Sequence, residues 1–227
     1  MLSPPEAYAD EAAFFWRVLS AVGLPSAPSL LELGGGGGSN ASHLTQHCAH
    51  ITLPDLSAQR LAVSRALKPA CEHLEGDMRT LRLGRVFAVV FIHAAIDYMT
   101  TPQDLRQAMA PAFAHCKAGG VALFVPDHVR ETFQPSTAHT GREGEGRAVR
   151  YLEWAYDPEG HDTTYVVEFA YLLREDPQPT RVEHDRHLQG LFPRAEWVGL
   201  LSEVGFEAEI VRDPCERDLF VARKPKG

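Results

Sequence analysis

Five consecutive glycines, Gly34 to Gly38, follow directly on the apolar run of residues 29–33, and no other feature restricts this chain's fold as strongly. Glycine loses more backbone freedom on folding than any other residue, so a bare turn has no use for five of them. A glycine loop after the first strand of a doubly wound sheet does have a use, because it brings a ligand against backbone N–H groups. Spacing within Leu30-Leu-Glu-Leu-Gly-Gly-Gly-Gly-Gly-Ser39 then separates the ligand classes. The Gly-Lys-Ser/Thr of a P-loop is absent, and a dinucleotide Gly-x-Gly-x-x-Gly counted from Gly34 and Gly36 ends on Ser39. The spacing that fits without strain is Glu32-x-Gly34-x-Gly36-x-Gly38.

Around this loop, strand and helix periods alternate. Ser3-Pro-Pro-Glu6 reads as a capping box before a helix carrying Phe15, Val18, Leu19 and Val22. Helices are expected over 39–48 and 57–67, the second capped by Ser57, and another opens at Thr101-Pro-Gln-Asp104 and ends at Gly119-Gly120. Strands are expected at 29–33, 50–53, 71–74, 86–92 and 121–125. The fourth is a near-continuous apolar run suited to burial on both faces. This rhythm implies an α/β fold, a doubly wound and mostly parallel sheet of the Rossmann-like kind.

The texture changes near residue 130. The glycine- and charge-rich segment 140–147 reads as a mobile loop. Period-two alternation then puts Tyr165, Val167, Phe169, Tyr171 and Leu173 on one face, with 149–156 before them and 181–188 after. We expect an antiparallel insertion of two or three strands, a lid over 130–190 between a core at 1–129 and a closing helix and hairpin at 191–227. Trp154 is placed beside that aromatic face.

Two acids sharpen the ligand. Asp55 ends the second strand 17 residues after Gly38, where a carboxylate can accept both ribose hydroxyls. Asp77 follows the third strand in Glu75-Gly-Asp-Met-Arg79, where it can accept from an adenine amino group. Loop and acids together point to an adenosine without a pyrophosphate.

At these residues the sequence resembles the class I S-adenosylmethionine-dependent methyltransferases, from about Tyr8 to Val125 and again at the C-terminal helix and hairpin. The resemblance implies S-adenosyl-L-methionine as cofactor and Tyr8, Glu32, Gly34, Gly36, Gly38, Asp55, Leu56, Asp77, Met78 and His93 as its contacts. Asp55-Leu-Ser would be the ribose step, Gly76-Asp-Met-Arg79 the adenine step, and the His93 carbonyl would face the methionine amino group. The wording of the motifs is nearest to small-molecule N-methyltransferases acting on amino sugars and glycine-like amines. Glycine replaces the usual Gly-Cys/Ser-Gly-Thr-Gly, Pro54 precedes the ribose acid, and no Asp/Asn-Pro-Pro-Tyr/Phe follows the fourth strand.

The expected reaction is in-line attack by an amine or hydroxyl of a small metabolite on the sulfonium methyl. Tyr98 and Trp154 are the expected acceptor contacts. His128 and His93 fall at the carboxyl edge of the sheet, and His128 is the expected proton acceptor. His43, His47 and His50, and the pair His184 and His187, lack the further ligands that a zinc site needs, so no metal is expected.

Composition narrows the partners. With 22 Lys+Arg against 30 Asp+Glu the charge is −8, which disfavours nucleic acid and anionic lipid as partners and leaves room for a homodimer. Cys48, Cys71, Cys116 and Cys215 form no CxxC pair, and the N-terminus lacks the features of a signal peptide. A cytoplasmic protein with free thiols is expected. Two rivals share the glycine loop: a nicotinamide-dependent oxidoreductase, and a non-catalytic module that binds S-adenosylmethionine.

Overall fold

The structure, a computed structural model, describes residues 5–227. Ser3 and Pro4 of the expected capping box lie outside the described residues. A 3₁₀ turn at Pro5–Tyr8 leads into α1 (Ala9–Ser20), which buries Ala12, Phe15 and Leu19.

Strands β1 (Ser29–Glu32), β2 (His50–Asp55), β3 (Glu72–Glu75), β4 (Phe87–His93) and β5 (Cys116–Val125) are parallel. The antiparallel pair β10 (Glu207–Arg212) and β11 (Asp218–Arg223) completes a seven-stranded sheet of order β10-β11-β5-β4-β1-β2-β3. Helices α2 (Ala41–Leu44), α3 (Ala58–Leu67), α4 (Pro102–His115) and α5 (Arg194–Val204) accompany it. The Ser57 hydroxyl accepts from the Arg60 N–H at 3.3 Å, and the Thr101 hydroxyl from the Asp104 N–H at 3.1 Å, so both expected caps form.

β4 shows why the sheet needs cover on both faces. Val90 and Ile92 pack with Met109, Leu105 and Trp197 of α4 and α5, whereas Val89 and Phe91 pack with Phe15, Leu19 and Leu44 of α1 and α2. Each such side chain contributes roughly 1.5–3 kcal/mol when fully buried. β1 and β4 are neighbours whose connections depart on opposite sides, and a doubly wound sheet opens a crevice at the carboxyl ends of such a pair.

Several local expectations are corrected. The helix over 39–48 is only Ala41–Leu44, flanked by turns. α4 ends at His115 rather than at Gly119-Gly120, because Cys116 is already extended (φ −79°, ψ 133°) and both glycines lie within β5. There Gly120 passes so close to β4 that a Cβ would meet the Ala88 carbonyl oxygen at 2.9 Å. The segment 140–147 is no loop: β6 (Ser136–Gly144) and β7 (Arg147–Tyr156) pair from Ser136↔Ala155 to Gly144↔Arg147. That register leaves a two-residue turn, Glu145-Gly146, with Gly146 at φ +69° as a tight hairpin requires. With β8 (Thr164–Glu175) and β9 (Arg181–Gly190), the second sheet has four antiparallel strands where two or three were expected.

Candidate active site

The glycine loop takes the alternate-residue form that its spacing demanded. Gly34, Gly36 and Gly38 have φ of +70°, +51° and +71°, a region costly for residues with a Cβ. Gly34 has no room for a side chain either, since a Cβ would lie 2.5 Å from the Ala95 Cβ and 2.8 Å from the Met78 Cε. The loop folds over the end of β2, where the Gly34 N–H donates to the Pro54 carbonyl at 3.0 Å and the Gly36 N–H to Asp55 Oδ2 at 2.8 Å. Asp55 Oδ1 accepts from the Ser57 N–H at 2.7 Å. Each oxygen of this buried carboxylate thus spends one lone pair on backbone and keeps capacity for a ligand.

The loop and the segment after β4 enclose a cleft of about 240 Å³, lined among others by Tyr8, Glu32, Asn40, His93 and Tyr98. Glu32 Oε2 and Asn40 Oδ1 are buried acceptors without a hydrogen-bond partner. Burial, with the Asp55 carboxylate nearby, pushes Glu32 up to about 8. Two unpaired acceptors in one cleft fit a ligand that brings donors and positive charge. Ala94, at φ +39°, carries backbone strain in the wall of the same cleft.

Met78 reaches the loop, its Cε 2.8 Å from where a Cβ on Gly34 would stand, and Leu56 is exposed beside Asp55. Both Asp77 oxygens accept from Arg79 (2.7 Å from Nη2), and Arg79 Nη1 lies 3.4 Å from Asp104. The Arg79 guanidinium, outweighing burial, holds the Asp77 carboxyl below its ordinary range.

A larger hollow of about 740 Å³ opens between the four-stranded sheet and the carboxyl edge of the main one. Its wall includes Asp127, His128, Glu153, Tyr165, Gln189 and Arg217. The His128 ring is edge-on to Phe133 and Tyr165, at 5.3 and 5.5 Å between centroids. Burial lowers His128 from its ordinary 6.5, opposed by Asp127 and assisted by Arg217. The His93 ring lies against α1, 5.7 Å from the Phe15 ring and with Nε2 3.3 Å from Glu11 Oε1, and Glu11 also accepts from Arg217 at 2.5 Å. Burial would raise Glu11, but His93 and Arg217 bring it down to about 2. Arg217 further donates to Asp213 at 2.7 Å, and so ties α1 to the C-terminal hairpin.

Tyr98 ends a 3₁₀ turn at Ala95–Tyr98, with its hydroxyl 3.0 Å from His187 Nδ1 on β9. Trp154 is misplaced by the sequence reading. It pairs with Glu168 and stacks near Tyr156 on the outward face, 51% exposed, whereas its neighbours Glu153 and Ala155 face the hollow. Sequence reasoning also passed over Asn40, Glu153, Gln189 and Arg217, none of which stands in a motif.

Among the described residues, no three His, Cys, Asp or Glu side chains gather as a metal site. Among them, too, no helix is long and apolar enough to cross a membrane.

A methyltransferase domain family matches residues 30–120. The chain is 32% identical over 201 residues to a dTDP-3-amino-3,4,6-trideoxy-alpha-D-glucopyranose N,N-dimethyltransferase of Streptomyces venezuelae, covering 87% of this chain and 83% of that protein. The crystal structure of DesVI from Streptomyces venezuelae shares its fold at a TM-score of 0.86 and 28% identity, over 96% of this chain and 92% of that one. So does SAM-bound CalS10, an amino pentose methyltransferase from Micromonospora echinaspora involved in calicheamicin biosynthesis. Its TM-score is 0.84 at 27% identity, over 96% and 91% of the two chains. These relatives favour methyl transfer over the nicotinamide and non-catalytic readings. The chain belongs to the class I S-adenosylmethionine-dependent methyltransferases, in the branch that methylates small molecules.

Proposed function

We propose that the acceptor is the amine of a nucleotide-linked amino sugar, held in the 740 Å³ hollow beneath the four-stranded lid. The observation that carries this reading is the similarity, over 87% of the chain, to a dimethyltransferase named for such a sugar. The hollow supports it, since it adjoins the cofactor cleft and offers carboxylates, arginines and aromatic rings to a polar ligand.

When bound, S-adenosylmethionine supplies an electrophilic methyl on a sulfonium. In our reading Asp55 and Leu56 receive the ribose, Asp77 and Met78 the adenine, and the glycine loop the backbone of the cofactor. Tyr8, Glu32 and the His93 carbonyl face its methionine end, where the unpaired Glu32 oxygen supports the assignment. Tyr98 borders the acceptor, while Trp154 has no part because it faces outward. The chain contributes mainly proximity and exclusion of water, up to ~7–11 kcal/mol for ideal orientation. His128, held neutral at physiological pH, takes the proton that the amine loses. His93 is better suited to binding than to proton transfer, since its ring is engaged with Glu11.

A homodimer belongs to the same reading, supported by Leu152, Leu172 and Val182, which the outer face of the lid leaves exposed; its mass in solution tests that. A reducing, cytoplasmic setting is supported by four free cysteines. The acceptor is tested by thermal shift with S-adenosylhomocysteine present. A dTDP-linked 3-amino sugar should stabilise the protein more than its 3-hydroxy counterpart, and equal or reversed shifts would contradict the proposal.

A further inference from the structure

Gln189 lines both the 240 Å³ cofactor cleft and the 740 Å³ hollow, and among the described residues bordering either it alone borders both. Its side chain thus stands in the wall common to the space for the methyl donor and the space for the acceptor. Three contacts fix its place. The Tyr165 hydroxyl donates to Gln189 Oε1 at 2.5 Å, and the two residues are register partners on β8 and β9. Gly190 next to it lies so close to the Met99 carbonyl that a Cβ would overlap the oxygen. The Thr163 hydroxyl donates to the Thr100 carbonyl at 2.8 Å, which joins the lid to the segment that ends the cofactor cleft. Tyr165 is 1% exposed, and burial pushes its hydroxyl far above the ordinary range, so it stays a donor.

We propose that Gln189 orients the acceptor amine, its second Oε1 lone pair accepting an N–H so that the nitrogen lone pair faces the methyl. The proposal rests on the amine reading above. In the transfer, the nitrogen lone pair forms the new N–CH₃ bond as the S–CH₃ bond breaks and its electrons stay on sulfur. The ammonium then gives one proton to neutral His128. A primary amine brings two N–H groups, a monomethylamine one, and a neutral dimethylamine none. The contact thus serves two successive transfers and is lost after the second, which favours release of a dimethylated product. Tyr165 acts through Gln189 and is a positioning residue.

Calorimetry with S-adenosylhomocysteine present tests this at about pH 9.5, above the ~8 of an ordinary α-amino group. The probes are dTDP-3-amino-3,4,6-trideoxyglucose and its N-methyl and N,N-dimethyl forms. The intact protein should bind the first two about fivefold more tightly than the third, as one lost hydrogen bond implies. Gln189→Leu should bring all three within about twofold of one another while S-adenosylhomocysteine affinity holds. Gln189→Glu keeps an acceptor oxygen and should keep the preference, so it decides the matter if the leucine variant does not fold. A preference that survives in Gln189→Leu, or is lost in Gln189→Glu, overturns the proposal. Failure of the intact protein to methylate the nitrogen of the primary amine would instead overturn the amine reading, and this inference with it.

Discussion

Asp55 Oδ2 accepts the N–H of Gly36 at 2.8 Å, across 19 residues of sequence, so the ribose acid and the glycine loop are one unit. A ligand that needs both finds them already arranged. Asp55→Ala should weaken S-adenosylhomocysteine binding by roughly 10- to 100-fold, since hydrogen bonds to a charged group contribute ~1.5–3 kcal/mol. Unchanged calorimetric affinity would remove Asp55 from the ribose.

Glu32 gives the cofactor site a pH dependence. Without ligand it titrates near 8, raised by burial and by Asp55, so at pH 7 it is mostly protonated. A cationic group beside it favours the carboxylate, so binding should release most of one proton at pH 7. Affinity should rise from pH 6 to 8 and level off above. Without ligand, ionising Glu32 costs stability as pH climbs towards 8, so Glu32→Gln should be the more stable at alkaline pH and bind without proton release. Calorimetry in two buffers of different ionisation enthalpy measures that release, and a value near zero for the unmodified chain would contradict the assignment.

His128 should govern turnover without governing cofactor affinity. Burial keeps it below 6.5, so it is free to accept a proton through the neutral range. His128→Gln should lower turnover by ~10²-fold or more, the low end of general-base effects, with S-adenosylhomocysteine affinity within about twofold. In both forms kcat/KM should fall below about pH 8 as the acceptor amine protonates, and the further limb that His128 adds below 6.5 should disappear in the variant. A profile of unchanged shape would mean that the proton leaves by another route.

The Glu11 carboxylate should support the fold in an acid-sensitive way. Its folded value of about 2 lies under the ordinary 4.5, because His93 and Arg217 outweigh burial. The stabilisation is therefore complete above 4.5 and fades as pH falls towards 2. Glu11→Gln should be less stable than the unmodified chain at pH 7, with the gap closing below pH 4. Urea melts across that range measure it, and a constant gap would show that charge is not the cause.

The site divides into parts that sequence reveals and parts that only packing creates. Gly34, Gly36 and Gly38 were legible because positive φ at alternate residues admits little else. Asp55 was legible because the end of the second strand falls beside that loop in any doubly wound sheet. Trp154 was misjudged because strand faces alternate: Ala155 opposes Val167, so Trp154 opposes Glu168 and points out. β6 was missed because it is exposed along nearly its whole length and carries no apolar alternation. Gln189 had no signal, since its role comes from the pairing of β9 with β8 and from the close pass of Gly190 by Met99.

The most direct test of the account is transfer of a ¹³C-labelled methyl from S-adenosylmethionine to dTDP-3-amino-3,4,6-trideoxyglucose, followed by NMR. The account predicts that label appears on nitrogen, first as a monomethylamine and then as a dimethylamine. Label on a sugar oxygen, or none while S-adenosylhomocysteine still binds, would contradict it.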